Sequence, residues 1–279
     1  MHQAASIESP PAVPKTISTW HWNILARFWY PLLTYLTRNE SVIFLNYGYC
    51  GDAGTGNAPA LEETDEPDRS CIQLYDHVAG AVDLRGRDVL EISCGHGGGA
   101  SYIARYLKPK SIRGVDRNPE AIKLCKRRHR AEGLSFSCGN ATSLDFANDT
   151  FDAVVNIEAS HCYPDMMRFL SEVRRVLRPG GYFLYADFRY NNPGRDIVHN
   201  QVQQSGLEVI TEENISPGVV RGMQLNSEKY SRLIQQLVPK PLIKHAKSFA
   251  GLKGSPVYME LASGETIYFR YVLRKPASD

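Results

Sequence analysis

The sequence predicts an α/β fold with a largely parallel sheet, and three observations carry that prediction. Short apolar strands alternate with amphipathic helices from about residue 85 to residue 214. The first of these strands runs through Gly95-His96-Gly97-Gly98-Gly99 straight into a helix. Such a turn lets a ligand approach the backbone closely and meet the free N–H groups of a helix start. The next strand closes on Asp116, 21 positions after Gly95, where a carboxylate can take both hydroxyls of a ribose.

Element by element, residues 1–17 are rich in Pro, Ser and Ala and are expected to be a disordered tail. The following stretch, WHWNILARFWYPLLTYL at 20–36, is expected to form two helical pieces divided at Pro31. It reads either as a helix packed over the core or as a membrane-facing surface, since Trp and Tyr favour interfaces. Residues 50–70 are a polar Gly/Pro/acid-rich loop, and a helix is expected around Ser70–Val82. A strand at Asp88–Ser93, a helix at Ala100–Leu107 and a strand at Ser111–Asp116 follow. Asn118 before Pro119 marks the start of the next helix, an Asn cap ahead of an N1 proline. That helix carries KLCKRRHR, whose cations fall on a solvated face while Ile122, Leu124 and Cys125 turn inward.

Strands at Leu134–Cys138, Ala153–Glu158 and Tyr182–Asp187 come next, with a helix at Met166–Leu177 stopped by Pro179-Gly180-Gly181. A helix near Asp196–Ser205, a strand at Leu207–Asn214 and a last strand at Thr266–Arg274 complete the pattern. The expected organisation is one domain over 18–279: N-terminal helices and a cofactor-closing segment (18–84), a core (85–214), an insertion (215–262) and the last strand with a tail (263–279). The insertion is a natural lid over a site at the sheet's C-terminal edge.

Bulk features exclude several classes. A net charge of +2 gives no case for nucleic acid as a partner. The six cysteines are scattered without a C-x-x-C pair, so they are expected to be reduced thiols, with no metal site. No cationic leader with an apolar run and no stretch of about 20 apolar residues is present. The expected location is the cytoplasm, with room for peripheral contact at the inner face of the membrane.

The segments VLEISCGHGGG, GVDRNPEAI, FDAVVNIEASHCYPD and VLRPGGYF, in this order and spacing, resemble the class I S-adenosylmethionine-dependent methyltransferases. Within them FWYPLLT, TDEPDRS, SCGHGGGASY, IKLCKRRHR, EASHCYP and VLRPGGYFLYAD are most similar to the mycobacterial phthiotriol/phenolphthiotriol dimycocerosates methyltransferase family and related fatty-acid O-methyltransferases. The resemblance spans roughly residues 25–190. It implies a Rossmann-like, seven-stranded, mostly parallel sheet, S-adenosyl-L-methionine as methyl donor, and a hydroxyl of a lipid or lipid-linked acceptor as the target.

Carried over by position, Gly95 and Gly97 would face the methionine part of the donor, Glu91 would stand as the acid before the glycines, and Asp116 with Arg117 would hold the ribose. Asn140-Ala141 occupies the place of an Asp-Ala pair at the adenine, and Asn there accepts and donates without charge. NYGYC at 46–50 resembles a closing segment and brings in Tyr47 and Tyr49. His96 reads as a cofactor-side contact or a spacer, and Glu158 as structural or cofactor-adjacent.

For the chemistry, an alcohol must lose its proton as the new C–O bond forms, and a histidine can take it. His161 is the candidate base and Asp187 its orienting carboxylate. Other acceptors (a sugar, an amine, a sterol-like carbon), a nicotinamide oxidoreductase and a catalytically silent binding protein remain open on the glycine turn alone. Oligomeric state is not legible in the sequence.

Overall fold

The structure is a computed structural model that describes residues 30–38, 42–51 and 58–277 of the chain. The tail at 1–17 and the stretch up to residue 29 of the aromatic segment lie outside the described residues. Residues 30–36 form helix α1, which contains Pro31 near its described start.

Seven strands form one sheet: β1 (Asp88–Ile92), β2 (Ser111–Asp116), β3 (Leu134–Cys138), β4 (Phe151–Ile157), β5 (Leu177–Tyr190), β6 (Glu208–Asn214) and β7 (Thr266–Arg274). Their order is β3-β2-β1-β4-β5-β7-β6, with only β7 antiparallel to its neighbours β5 and β6. The chain starts at the centre with β1, works outward to β3, then returns to β4 on the other side. That reversal opens a crevice at the C-terminal ends of β1 and β4, where open α/β sheets bind ligands.

The helices are α2 (Arg69–Ala79), α3 (Gly98–Tyr102), α4 (Pro119–Arg128), α5 (Met166–Val176), α6 (Gly194–Gln204), α7 (Ser216–Leu237), α8 (Ile243–Phe249) and α9 (Pro256–Ser263). Their starts follow side-chain chemistry. Asn118 Oδ1 accepts the Glu120 N–H ahead of α4, and Asp165 does the same for Arg168 ahead of α5. Lys123, Lys126 and Arg127 of α4 are exposed as expected, with Ile122, Leu124 and Cys125 buried beneath them, but Arg128 departs from the solvated face and donates to Thr37 O and Val42 O. Two apolar layers flank the sheet, one under α2, α3 and α7, the other under α5 and α6. All six cysteines are free thiols.

The structure departs from the sequence reading at β5. β5 is longer than Tyr182–Asp187: Leu177 pairs with Phe151 before the Pro-Gly-Gly step, and the ladder resumes at Tyr182 after a register shift, so Asp187 lies inside the strand rather than at its end. The insertion consists of three helices, and α7 is embedded in the main core through Val219 and Met223.

Gly222 of α7 crosses directly over the 42–51 segment. A Cβ there would lie 2.4 Å from Gly48 C and 2.5 Å from Tyr49 N, backbone atoms that cannot swing aside. Gly222→Ala is expected to cost about 1–3 kcal/mol by overpacking. Urea unfolding of both proteins measures this, and an unchanged midpoint would mean that α7 moves freely against the segment.

Candidate functional site

A cavity of about 320 Å³ opens at the crevice, within the range of roughly 300–1,000 Å³ that small-molecule sites occupy. Its floor is the β1–α3 turn, its sides the ends of β2 and β4 and the 139–142 loop, and its roof α1 with residues 43–46. Ser93 and Glu158, at the ends of β1 and β4, both take positive φ (61° and 50°), a strained turn for side chains of this kind that re-aims the chain at the cavity rim.

Asp116 closes β2 at the cavity wall. Its Oδ2 accepts the Gly95 N–H at 3.0 Å and its Oδ1 the Asn118 N–H at 2.8 Å. Burial raises the carboxyl above its usual range, against the pull of those two N–H groups. Each oxygen keeps a lone pair toward the cavity, so the carboxylate fits a pair of ribose hydroxyls. Gly95, Arg117, Asn140 and Ala141 share this wall. Asn140 Oδ1 accepts from Thr142 N and Oγ1, which holds the 139–142 loop in shape. These residues are brought together as the sequence reading expected.

Four others are not on the wall: Tyr47, which lines a separate chamber, and Gly97, Glu91 and Tyr49. Gly97 faces away: a Cβ there would strike Cys125 Sγ, His129 and Phe136, and φ is +82°, so the residue is needed for the turn and for helix packing. Glu91 is buried behind Tyr75, whose hydroxyl donates to Oε1 at 2.7 Å, while Oε2 has no partner among the described residues. Burial pushes the Glu91 carboxyl up to about 8. Tyr49 stacks on His77 at 4.4 Å and lies against α7, remote from the cavity.

The 42–51 segment is a strap laced to four parts of the protein. Ile43 O accepts from Gly98 N, the Tyr49 N–H donates to Ser70 O, and the Cys50 N–H donates to Gly218 O. The Tyr47 N–H donates to both Glu158 oxygens, at 2.9 and 3.2 Å. His96 adds a further tie that its place in the glycine turn did not announce. Its Nδ1 donates to Val42 O at 2.9 Å and its Nε2 lies 3.1 Å from Thr34 Oγ1 of α1. Burial lowers its pKa to about 4, so the ring is neutral and the tautomer is set by Val42 O. His96 therefore fastens the roof to the floor.

Glu158, expected to be structural or cofactor-adjacent, ties the strap through Tyr47 and also lines the cavity. Burial first, then the nearby Asp187 charge, push it up to about 8, although Tyr47 N and the Tyr268 hydroxyl, 3.0 Å from Oε1, favour the ionised form. With the folded-state pKa above the unfolded one of roughly 4.3, the folded protein holds a proton that the unfolded chain has released. Stability from this group is complete below that lower value and is lost as pH rises toward about 8. Glu158→Gln keeps an acceptor for Tyr47 N and is expected to flatten the fall in thermal midpoint between the ordinary glutamate range, roughly 4.3, and about pH 8. A wild-type slope in the variant would assign the titration elsewhere, Glu91 first.

His161 sits in the short 3-10 turn Ser160–Cys162 that follows β4, and Cys162 of that turn lines the cavity. Parallel pairing of β4 with β5 aligns Ile157 with Ala186, which brings the next residue of β5 under this turn. Asp187 Oδ1 lies 2.8 Å from His161 Nδ1, and Oδ2 accepts from the His161 N–H at 2.8 Å and from Ser160 Oγ at 2.5 Å. Arg189 pairs with Asp187 at 3.0 Å. Asp187 is fully buried, yet His161 and Arg189 overcome the burial penalty and hold its carboxyl well below the usual range. For His161, burial opposes the charged ring, but Cys162 and Asp187 outweigh it and raise its pKa well above the ordinary value. Asp187 holds Nδ1, which leaves Nε2 as the other ring nitrogen, and Cys162 is the second side chain hydrogen-bonded to the ring. Phe188 lies 4.6 Å from the ring and Tyr47 5.5 Å from Phe188, an apolar aromatic surround.

The methyltransferase-domain family model matches residues 90–185. Over 251 residues, 89% of this chain and 91% of the relative, the sequence is 45% identical to the phthiotriol/phenolphthiotriol dimycocerosates methyltransferase of Mycobacterium tuberculosis. It is 41% identical over 250 residues, 89% of each chain, to the fatty-acid O-methyltransferase of Mycolicibacterium smegmatis. Among solved structures, the cyclase SpnF superposes with a TM-score of 0.68 at 19% identity, over 93% of this chain and 95% of its own. Geranyl diphosphate methyltransferase in complex with SAM superposes with a TM-score of 0.59 at 15% identity, over 84% of this chain and 100% of its own. These two likenesses show the shared fold, and the cyclase shows that the fold alone does not dictate the reaction.

Proposed function

The chain belongs to the methyltransferase family of the phthiotriol/phenolphthiotriol dimycocerosates enzymes, and from that premise we propose that it methylates a hydroxyl of a lipid or lipid-linked acceptor with S-adenosylmethionine as donor. The observation that carries the reading is the pair His161–Asp187, a base with its orienting carboxylate, in the turn after β4 whose neighbours Ala159 and Cys162 line the same nucleoside-sized cavity as Asp116.

When bound, S-adenosylmethionine supplies a methyl group on sulfur with a good leaving group. Asp116 would hold the ribose, with Gly95, Arg117, Asn140 and Ala141 along the same wall. The strap and α1 would exclude water from above. His161 Nε2 would take the hydroxyl proton, and Asp187 would hold the tautomer and balance the charge that forms on the ring. Much of the acceleration comes from alignment, which is worth up to about 7–11 kcal/mol when two reactants are held correctly.

The reading includes peripheral contact with a membrane surface, from which a greasy acceptor would be drawn. No helix among the described residues is long and apolar enough to cross a membrane. The support is a basic face beside the cavity, with exposed Tyr35, Arg38 stacked 3.9 Å over its ring, and Lys123, Arg127 and Arg130 of the same cleft.

The test is incubation of the protein with S-adenosylmethionine and a long-chain hydroxy ester, followed by mass spectrometry of the lipid. One methyl ether at the hydroxyl is expected. Methylation at nitrogen or carbon of other acceptors, with none at the hydroxyl, would replace the acceptor class.

A further inference from the structure

A second, smaller cavity of about 90 Å³ lies between the end of α1, the C-terminal half of α7 and α8. Its walls are carbon: Leu36, Phe44, Leu233, Leu237, Ala246 and Phe249 among them. The polar side chains on its lining other than Tyr47 are already engaged. Thr37 Oγ1 donates to Leu33 O, Asn46 Nδ2 donates to Cys71 O while its Oδ1 accepts the Gly48 N–H, and the Tyr230 hydroxyl lies 3.3 Å from Cys71 Sγ. Apart from the Tyr47 hydroxyl, these side chains offer an occupant little hydrogen bonding, and the carbon walls penalise a polar group brought against them. Cavities of this composition stay dry and take apolar guests.

Its position ties it to the reaction. Residues 44–46 form a wall of both this chamber and the larger cavity, and Tyr47 lines the chamber with a ring that reaches Phe188, the residue against His161. A row of packed aromatic rings, Phe188 and then Tyr47, therefore links the base to the chamber wall.

We propose that this chamber is the alkyl subsite of the enzyme: it takes the hydrocarbon segment next to the hydroxyl that is methylated. The proposal rests on the lipid-acceptor reading for its biological meaning, and its occupant is an alkyl chain rather than a sugar, a headgroup or a second protein. The helical insertion, through α7 and α8, then sets chain-length preference.

The experiment uses the full-length protein, two hydroxy esters (one with a C4 chain, one with a C16 chain) and a C16 hydroxy ester bearing a photoreactive diazirine. Ala246→Leu narrows the chamber and Leu237→Ala widens it. For Ala246→Leu, kcat/KM on the long ester is expected to fall about 30-fold, the value of a few buried methylenes, with less than a 3-fold change on the short ester. Affinity for S-adenosylhomocysteine is expected to be unchanged. Leu237→Ala is expected to shift preference toward longer or branched chains, a gain that a misfolded protein could not show. The diazirine is expected to label residues of α7 and α8.

Equal effects on both esters, or labelling away from α7 and α8 while the long ester is still methylated, would overturn the subsite and leave the lipid reading standing. Labelling of α7 and α8 without methylation of either ester would uphold the subsite and remove the hydroxyl-acceptor reading.

Discussion

His161→Ala is expected to lower kcat for an alcohol acceptor by about 10²–10⁴-fold, the usual worth of a positioned general base, while leaving affinity for S-adenosylhomocysteine within about 3-fold. The split follows from geometry. His161 lies in the turn after β4, whereas the groups that would bind the donor lie along Gly95, Asp116 and the 139–142 loop. The pH dependence carries the sharper signature. Only a neutral ring can accept a proton, and Cys162 and Asp187 hold the His161 pKa well above its ordinary value despite burial. Activity should therefore climb with pH through a point above the ordinary histidine value of roughly 6.5. Asp187→Asn removes a charge that favours the imidazolium, so the acidic limb should move to lower pH. Its kcat should fall as well, because the amide no longer fixes Nδ1 as the donor. A kcat for His161→Ala within 3-fold of wild type would remove His161 from proton transfer. A structural role alone would not move the limb in Asp187→Asn.

Much of this site was legible in the sequence because it is built at strand ends. Alternating burial and short apolar runs placed all seven strands, and two parallel neighbours bring their ends side by side. His161 after β4 and Asp187 on β5 had to meet once Ile157 and Ala186 were in register. The same holds for Asp116, whose carboxylate caps the turn one strand over from Gly95. What was not legible depends on partners distant in the chain and outside any period. Nothing local to His96 says that it reaches Val42 and Thr34, and nothing local to Glu158 says that it clasps the Tyr47 backbone. Gly97 misled for a related reason: a glycine in a ligand loop reads as an approach to ligand, while here its missing side chain makes room for Cys125 and Phe136 from α4 and β3. The insertion hid its helices because α7 is fixed by small residues, Gly218 and Gly222, seated on the strap, not by a dense apolar stripe.

Asp116→Ala is the second large effect expected, and it separates the donor site from the acceptor site. The carboxylate would receive two ribose hydroxyls in addition to the N–H groups of Gly95 and Asn118. Hydrogen bonds to a charged acceptor are worth about 1.5–3 kcal/mol each, so affinity for S-adenosylhomocysteine should fall at least about 100-fold in a calorimetric titration. Alanine also strips the Gly95 N–H of its acceptor, which could loosen the glycine turn itself. Asp116→Asn distinguishes the two causes. One amide oxygen can still serve Gly95, so the turn should keep its thermal midpoint, yet the loss of charge and of one acceptor should weaken the ligand by about 10-fold or more. Because burial raises the Asp116 carboxyl, wild-type affinity should begin to fall on acidification at a pH above the ordinary aspartate range, and that dependence should vanish in the asparagine variant. Undiminished binding by both variants would show that the ribose is held elsewhere, and the assignment of the β2 end as the nucleoside wall would then fail even though the fold and the His161–Asp187 pair remain.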